Sequence, residues 1–169
     1  MKKFLMFTLF LLMAWGVRAQ DNNSDIVKVG DSMPSFTIVS DNGDRLSSSS
    51  FKGKVVLVNF FATWCPPCQK ELAAVQQRLW PKYKGNDNFV LLVIGREHTD
   101  ADLAKYNKVK DFSFPLYPDK NRSIYSAFAN NLIPRSYLVD KSGKVVYVSK
   151  GYTDQEFDVL MNEIEKSLK

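Results

Sequence analysis

An almost continuous apolar run, Val55–Phe61, is rich in β-branched and aromatic side chains and is interrupted only by Asn59. Such a run is typical of a strand that is covered on both faces of a sheet. Residues 89–95 repeat this pattern, and residues 66–83 between them show apolar positions at helical spacing. Pro66 suits the first helical position, and Pro81 should bend or end the helix. We therefore predict a strand–helix–strand crossover, which pairs the two strands in parallel.

Shorter elements flank this crossover on both sides. Residues 33–39 favour a strand, 41–44 a turn and 45–46 the start of a return strand. The downstream pattern predicts helices at 100–109 and 123–128, with an extended segment at 112–118 between them. It then predicts strands at 136–139 and 144–148, and a final helix that begins at a capping box at 153–156. These elements predict one α/β sheet with helices on both faces and antiparallel edge strands from the late hairpin.

The amino terminus has the features of a secretory signal. Lys2 and Lys3 supply a positive start, residues 4–17 are almost entirely apolar, and Ala19 ends a cleavage pattern of small residues. The apolar run is shorter than the roughly 20 residues that a membrane-spanning helix needs. We predict residues 1–19 to be a signal peptide, and an uncleaved membrane anchor is the alternative.

Length and charge restrict the class of the mature chain. Removing residues 1–19 from the 169 leaves 150, which is enough for one domain with a sizeable core. We predict a flexible lead-in at 20–27 and a single domain at 28–169. The formal charge of +5 includes three cations of the signal, so the mature chain carries +2. A nearly neutral chain without a basic run interleaved with aromatic residues disfavours nucleic-acid binding.

The two cysteines of the chain, Cys65 and Cys68, are the main candidates for chemistry. They follow the run Val55–Phe61 closely and open the predicted helix, where the helix dipole favours the thiolate of Cys65. Cys68 lies close enough to release the mixed disulfide that Cys65 forms. A structural bridge across so small a loop would stabilise the fold little. The spacing therefore predicts a redox pair whose exchange partner is another molecule.

Residues near the pair refine this prediction. Pro66 and Pro67 lack an N–H, so stabilisation of the Cys65 sulfur must come from the helix dipole and from Cys68. Because no histidine or lysine stands between the cysteines, we expect a reducing rather than a strongly oxidising pair. A metal site is disfavoured, since structural zinc needs four ligands and the chain adds only His98, which we interpret as a surface residue.

Four segments carry a resemblance to a known family. They are residues 34–36, residues 55–68 with Trp64-Cys65-Pro66-Pro67-Cys68, residues 133–136 with Ile133-Pro134, and residues 138–145. Together they resemble the thioredoxin superfamily and, more narrowly, the TlpA/ResA-like extracytoplasmic thiol–disulfide oxidoreductases. The resemblance covers about residues 28–168. It implies an α/β, thioredoxin-like fold, in which helices flank a central mixed β-sheet, with an N-terminal β-hairpin and an inserted helix.

The resemblance also implies roles in substrate binding. Pro134 is expected to be a cis-proline that faces the cysteines and presents the Ile133 backbone to an extended substrate segment. A trans proline at a strand start is the alternative. Trp64 is expected beside the sulfurs as an apolar wall, and Pro66 and Pro67 belong to the same substrate-binding surface.

Glu71 resembles the acidic residue that ResA-like proteins carry one helical turn after the second cysteine. The resemblance to thioredoxin leads one to expect a buried acid at position 59, but the amide of Asn59 cannot take a proton. Glu71 is therefore the candidate acceptor of the Cys68 proton. A solvated glutamate paired with a lysine is the alternative. Lys70 and Arg135 are candidates to flank the substrate groove, with solvated charge as the default interpretation.

We thus predict an extracytoplasmic, periplasmic protein-disulfide reductase that acts on disulfide-containing exported proteins, with apocytochrome c as the family-level substrate. The Cys65–Cys68 couple needs no bound cofactor or metal, and export implies a membrane thiol–disulfide electron donor. We expect a monomer. The alternatives are a disulfide oxidant or isomerase of the same fold, a thiol peroxidase, and a non-catalytic peptide-binding module. Val58 and Ala62 stand where the peroxidase motif needs a proline and a hydroxyl residue, which disfavours the peroxidase.

Overall fold

A computed structural model describes residues 24–40 and 42–169; the predicted signal at 1–19 lies outside the described residues. All seven residues of Val55–Phe61 are buried and form one strand, as their apolar run predicts. The strands are β1 (Thr37–Val39), β2 (Arg45–Ser47), β3 (Val55–Phe61), β4 (Phe89–Arg96), β5 (Leu116–Asp119), β6 (Arg135–Val139) and β7 (Val145–Lys150). The α-helices are α1 (Pro66–Ala74), α2 (Trp80–Tyr83), α3 (Asp100–Lys110), α4 (Ser123–Phe128) and α5 (Asp154–Leu168), and a 3₁₀ helix covers Ser48–Phe51.

The main sheet has the strand order β5-β4-β3-β6-β7. β3 and β4 pair in parallel, in a register that sets Val55 beside Phe89, which confirms the predicted crossover. β6 pairs antiparallel with the other side of β3 and also with β7. Only β7 of the late hairpin is therefore an edge strand, and the prediction of an edge position is wrong for β6. The reason is burial, since all five residues of β6 are buried.

A separate hairpin precedes the main sheet. β1 and β2 pair antiparallel with Ile38 opposite Leu46, which confirms the N-terminal hairpin, although the first strand is shorter than the predicted 33–39. Asp41 of the predicted turn lies outside the described residues, and Gly43 follows with a φ of 90°, which glycine adopts readily. Farther along, the connection from β4 to β6 contains α3, β5 and α4. This long connection has space for the inserted helix that the resemblance implies.

Two apolar layers lie on the two faces of the main sheet. On one face, Leu72 of α1, Leu103 of α3 and Leu160 of α5 pack on β3 and β4. On the other face, Ile38 of the hairpin and Phe128 of α4 pack against the same strands. Because successive strand residues point to opposite faces, an apolar β3 supplies both layers. The prediction of helices on both faces is confirmed.

The helix after the cysteines changes its hydrogen-bond spacing before Pro81. α1 ends at Ala74, and a π-helical turn, Val75–Leu79, leads into α2. The Trp80 N–H donates to the Val75 carbonyl, five residues back. Proline has no N–H and its ring crowds the preceding turn, so a wider turn accommodates it without ending the helix.

Residues 24–27, which were expected to belong to a flexible lead-in, are packed against the domain. The N–H groups of Ile26 and Val27 donate to the Phe128 carbonyl at 3.2 and 3.0 Å. The Val27 side chain is buried, and Asp25 forms an ion pair with the buried side chain of Arg135. Backbone hydrogen bonds and apolar burial therefore hold this segment in place.

Candidate active site

The cysteine pair lies at the point where the central strand β3 leads into α1. Cys65 is the N-cap of α1, Pro66 and Pro67 occupy the first helical positions, and Cys65 and Cys68 form a disulfide. The Cys65 sulfur accepts a hydrogen bond of 3.3 Å from the Cys68 N–H. Cys68 is fully buried, whereas Cys65 keeps a small exposed area. Cys65 is therefore the less buried of the two cysteines, and it lies at the positive end of the helix.

A second loop brings a backbone carbonyl to the cysteines. The Ile133–Pro134 peptide bond is cis, as the resemblance implies. The Ile133 carbonyl oxygen lies 3.8 Å from the Cys65 sulfur. The Tyr125 hydroxyl donates to the Leu132 carbonyl at 2.7 Å. Because Tyr125 belongs to α4, this hydrogen bond holds the loop against that helix. The loop therefore offers a fixed backbone edge beside the Cys65 sulfur.

Glu71 is buried within a closed triangle of hydrogen bonds. The Asn59 side-chain N–H₂ donates to Glu71 Oε2 and to Ser136 Oγ, each at 2.9 Å. The Ser136 hydroxyl donates to Glu71 Oε1 at 3.0 Å. Asn59 comes from β3 and Ser136 from β6, and the two residues are directly opposite each other in the sheet. The triangle therefore fixes both carboxyl oxygens of Glu71 under α1.

Burial dominates the electrostatics of this carboxyl. Removal from water raises the pKa of Glu71 to about 7, although the hydrogen bonds from Asn59 and Ser136 oppose the shift. Glu71 and Cys68 are both buried on α1, one helical turn apart. A buried carboxyl with a pKa near 7 can accept and release a proton at neutral pH. The alternative of a solvated glutamate paired with a lysine is wrong.

Several residues near Cys65 in the chain, and one in the cis-proline loop, are exposed. Trp64 is 64% exposed, and the Arg96 guanidinium lies 5.7 Å from the centre of its indole ring. The expected apolar wall is thus a surface feature, with a cation on one side of the ring. These exposed residues are Trp64, Pro66, Pro67, Lys70 and Leu132.

His98 is not the surface residue that its sequence position suggests. The residue is only 9% exposed, and its Nε2 accepts a hydrogen bond of 3.0 Å from the Thr63 N–H. Burial lowers the pKa of His98, which favours the neutral imidazole that this bond requires. No motif connects two positions so far apart in the chain, so only the fold reveals this contact.

Arg135 lies on the face of the sheet opposite to α1. It is fully buried, forms an ion pair with Asp25, and donates to the Tyr137 hydroxyl at 3.1 Å. Neighbouring strand residues point to opposite faces, so Ser136 reaches Glu71 while Arg135 points away. Both interpretations of Arg135, as a groove residue and as solvated charge, are therefore wrong.

Within 24–40 and 42–169, no group of three or more His, Cys, Asp or Glu side chains is arranged to hold a metal ion. In this same part of the chain, no helix combines the length and apolar character that membrane crossing requires.

Fold and site together define a class of protein. The chain has a mixed sheet with flanking helices, a cysteine pair at a helix N-terminus, and a cis-proline beside the first sulfur. These features are those of a thioredoxin-like thiol–disulfide oxidoreductase, an enzyme that exchanges its own dithiol with disulfides of other molecules.

The chain belongs to the Redoxin family, whose model matches residues 28–164. It is similar to the thiol-disulfide oxidoreductase ResA of Bacillus thuringiensis subsp. konkukian, with 33% identity over 77% of this chain and 74% of the relative. ResA of Bacillus subtilis is 30% identical over 74% of this chain and 69% of the relative. A solved structure of a candidate protein disulfide isomerase from Bacteroides thetaiotaomicron has a TM-score of 0.80 and 33% identity, covering 86% of this chain and 92% of that one.

Proposed function

We propose that this thiol–disulfide oxidoreductase is an extracytoplasmic, periplasmic enzyme that reduces disulfides of exported proteins, with apocytochrome c as a substrate. The observation that carries the proposal is the position of the Cys65 sulfur, 3.8 Å from the Ile133 carbonyl next to cis-Pro134. An extended substrate segment can add to such a backbone edge through main-chain hydrogen bonds. The signal-like pattern at residues 1–19 supports a location outside the cytoplasm.

The first chemical step uses the reduced pair. The Cys65 thiolate attacks one sulfur of the substrate disulfide, so that the substrate S–S bond breaks and a bond between Cys65 and the substrate forms. The released substrate thiolate takes a proton from water. The helix dipole and the Cys68 N–H stabilise the attacking thiolate.

The second step releases the substrate. The Cys68 thiol passes its proton to Glu71, and the new thiolate attacks the Cys65 sulfur. The mixed disulfide breaks, the Cys65–Cys68 disulfide forms, and the second substrate thiolate leaves and is protonated. Two electrons have then moved from the enzyme to the substrate, and the enzyme has reached the oxidised state that the structure describes.

The cycle needs a source of two electrons but no bound cofactor, because the cysteine pair stores both electrons itself. Cytosolic reductants do not reach an exported protein, so the proposal includes a membrane thiol–disulfide donor that returns the electrons. The enzyme acts as a monomer in this scheme. Exposed Trp64 and Leu132 supply apolar contacts for protein substrates and for the donor.

The equilibrium reduction potential of the Cys65–Cys68 pair tests the direction of this chemistry. The measurement is a titration against glutathione and dithiothreitol redox buffers. We expect a value near or below roughly −230 mV, where the pair acts as a reductant. A value near or above about −180 mV would make the protein an oxidant or isomerase and would reject both the reductase proposal and apocytochrome c as its substrate.

A further inference from the structure

Two side chains hold the backbone of Thr63, which lies two residues before Cys65. The Thr63 N–H donates to His98 Nε2 at 3.0 Å, and the Thr63 carbonyl accepts from Gln69 Nε2 at 3.0 Å. Lys110 Nζ donates to Gln69 Oε1 at 2.9 Å. The peptide groups on both sides of Thr63 are therefore fixed, one from the end of β4 and the other from α1.

Close packing holds the imidazole in the position that this contact needs. The His98 backbone N–H donates to the Gly95 carbonyl at 3.2 Å. A Cβ on Gly95 would lie 3.2 Å from the His98 ring, so the strand approaches the ring as closely as glycine allows. The Phe61 ring centre is 6.3 Å from that of His98. The ring thus has little freedom to turn its Nε2 away from Thr63.

We propose that His98 is a positioning residue for thiol–disulfide exchange: its neutral imidazole fixes the turn that carries Cys65, and its protonation releases that turn. The inference rests on the proposed function and adds one residue to it. The reason is the hydrogen-bonding capacity of the ring. An imidazolium carries a proton on both nitrogens, so it cannot accept from the Thr63 N–H.

Burial and the charges around the ring together set the pH at which the imidazole of His98 becomes protonated. The titratable and charged groups that face it come from the end of β4 and from α3: Arg96, Glu97, Asp102, Lys105, Tyr106 and Lys110. Burial is the largest influence and lowers the pKa of His98, the arginine lowers it further, and the two carboxylates raise it. The hydrogen bond to Thr63 is therefore kept at neutral pH and lost in acid.

Two substitutions of His98 test its role as a hydrogen-bond acceptor separately from the volume of its side chain. His98→Gln keeps an oxygen acceptor that does not titrate, whereas His98→Leu fills similar space without an acceptor. With insulin as substrate at pH 7.5, we expect His98→Leu to lower kcat/KM about tenfold, the order of one lost hydrogen bond. His98→Gln should keep the wild-type value.

The pH dependence of kcat/KM distinguishes this positioning role of His98 from a purely structural one. Acid removes the Cys65 thiolate in every variant, so the ratio of wild-type to His98→Gln kcat/KM isolates the imidazole. We expect this ratio to be near one at pH 7.5 and to fall severalfold at pH 5. In ¹⁵N-labelled protein, the Thr63 amide resonance should titrate with the imidazole in the wild type and stay constant in His98→Gln.

Several outcomes would overturn the inference. One is a His98→Leu variant as fast as the wild type, another is a folded His98→Gln variant as slow as His98→Leu, and a third is a Thr63 amide that does not titrate with the ring. If His98→Leu does not fold, the His98→Gln profile and the amide titration decide. If the wild type reduces no disulfide at all, the proposed function fails, and the amide titration alone decides whether His98 holds Thr63.

Discussion

At the scale of single residues, Glu71 shows two opposing influences on one carboxyl. Hydrogen bonds from Asn59 and Ser136 favour its charged form, while complete burial favours the neutral form and prevails. The pKa of Glu71 is therefore about 7, in the range where a carboxyl can take the proton of a neighbouring thiol and return it. The sequence places Glu71 one turn from Cys68, but only the strands under α1 give it this environment.

We expect Glu71→Gln to slow the release of the mixed disulfide about a hundredfold, because general-base assistance is worth about that much or more. The rate is measured by stopped flow on a Cys65 mixed disulfide with a chromogenic thiol. Glu163→Gln on α5, where the carboxylate pairs with exposed Lys166, is the matched control and should be neutral. If Glu71→Gln leaves both this rate and the Cys68 titration unchanged, Glu71 is not the acceptor.

The same carboxyl predicts a dependence of stability on pH. The pKa of Glu71 rises from 4.5 to about 7 on folding, so its neutral form stabilises the fold fully below pH 4.5 and this stabilisation is lost as pH rises through about 7. The loss amounts to about 3 kcal/mol. Urea unfolding of the oxidised protein at pH 5 and pH 8 measures it. Because part of the loss has already occurred at pH 5, the wild type should lose about 2 to 3 kcal/mol more than Glu71→Gln over this interval, and parallel losses would contradict the prediction.

At the scale of elements, one ion pair fastens the amino-terminal segment to β6. Arg135 is fully buried, and its Nε and Nη2 have no hydrogen-bond partner among the described residues, so its charge relies on Asp25 and on the Tyr137 hydroxyl. Arg135 directly follows cis-Pro134 in the chain. The segment around Asp25 therefore supports the start of β6 from the face opposite to the cysteines.

We expect Asp25→Ala to lower the free energy of unfolding by about 3 kcal/mol, because it leaves a buried guanidinium without its counter-charge. The other partner of Asp25 provides the comparison. Lys150 is partly exposed, so Lys150→Ala should cost less than about 1 kcal/mol. Chemical denaturation at pH 7 measures both values. Equal effects of the two substitutions would show that the buried charge of Arg135 does not depend on Asp25.

Short sequence patterns predict the individual helices and strands well, but they predict less well which elements lie next to each other in the fold. The periodicity and capping residues identify α1, α3 and α5, because helix hydrogen bonds join positions close in the chain. The interior position of β6 was not predicted, since strand order depends on contacts between distant segments. The packing of Val27 was missed for the same reason, because its partner carbonyl belongs to Phe128.

For the molecule as a whole, the less buried Cys65 with exposed Trp64 and Leu132 nearby predicts covalent capture of partners. A Cys68→Ala variant expressed from the full 169-residue sequence should accumulate mixed disulfides between Cys65 and the exported proteins of the proposed function, because no second thiol releases them. Trapping with acid, followed by non-reducing gels and mass spectrometry, detects them. The Cys65→Ala/Cys68→Ala double variant is the control. Equal adducts in both variants, or adducts with cytosolic proteins alone, would contradict the proposed location and mechanism.

Patterns along the chain were enough to specify what depends on sequence neighbours: the apolar strand β3, the helix that follows it, and the two sulfurs at their junction. The arrangement of the strands and helices in space sets which distant groups meet around the cysteine pair. It brought the Ile133 carbonyl to Cys65, Ser136 and Asn59 to Glu71, and His98 to Thr63. Side-chain spacing fixes local backbone geometry, whereas burial and long-range hydrogen bonds depend on sheet order and register, which no short pattern encodes.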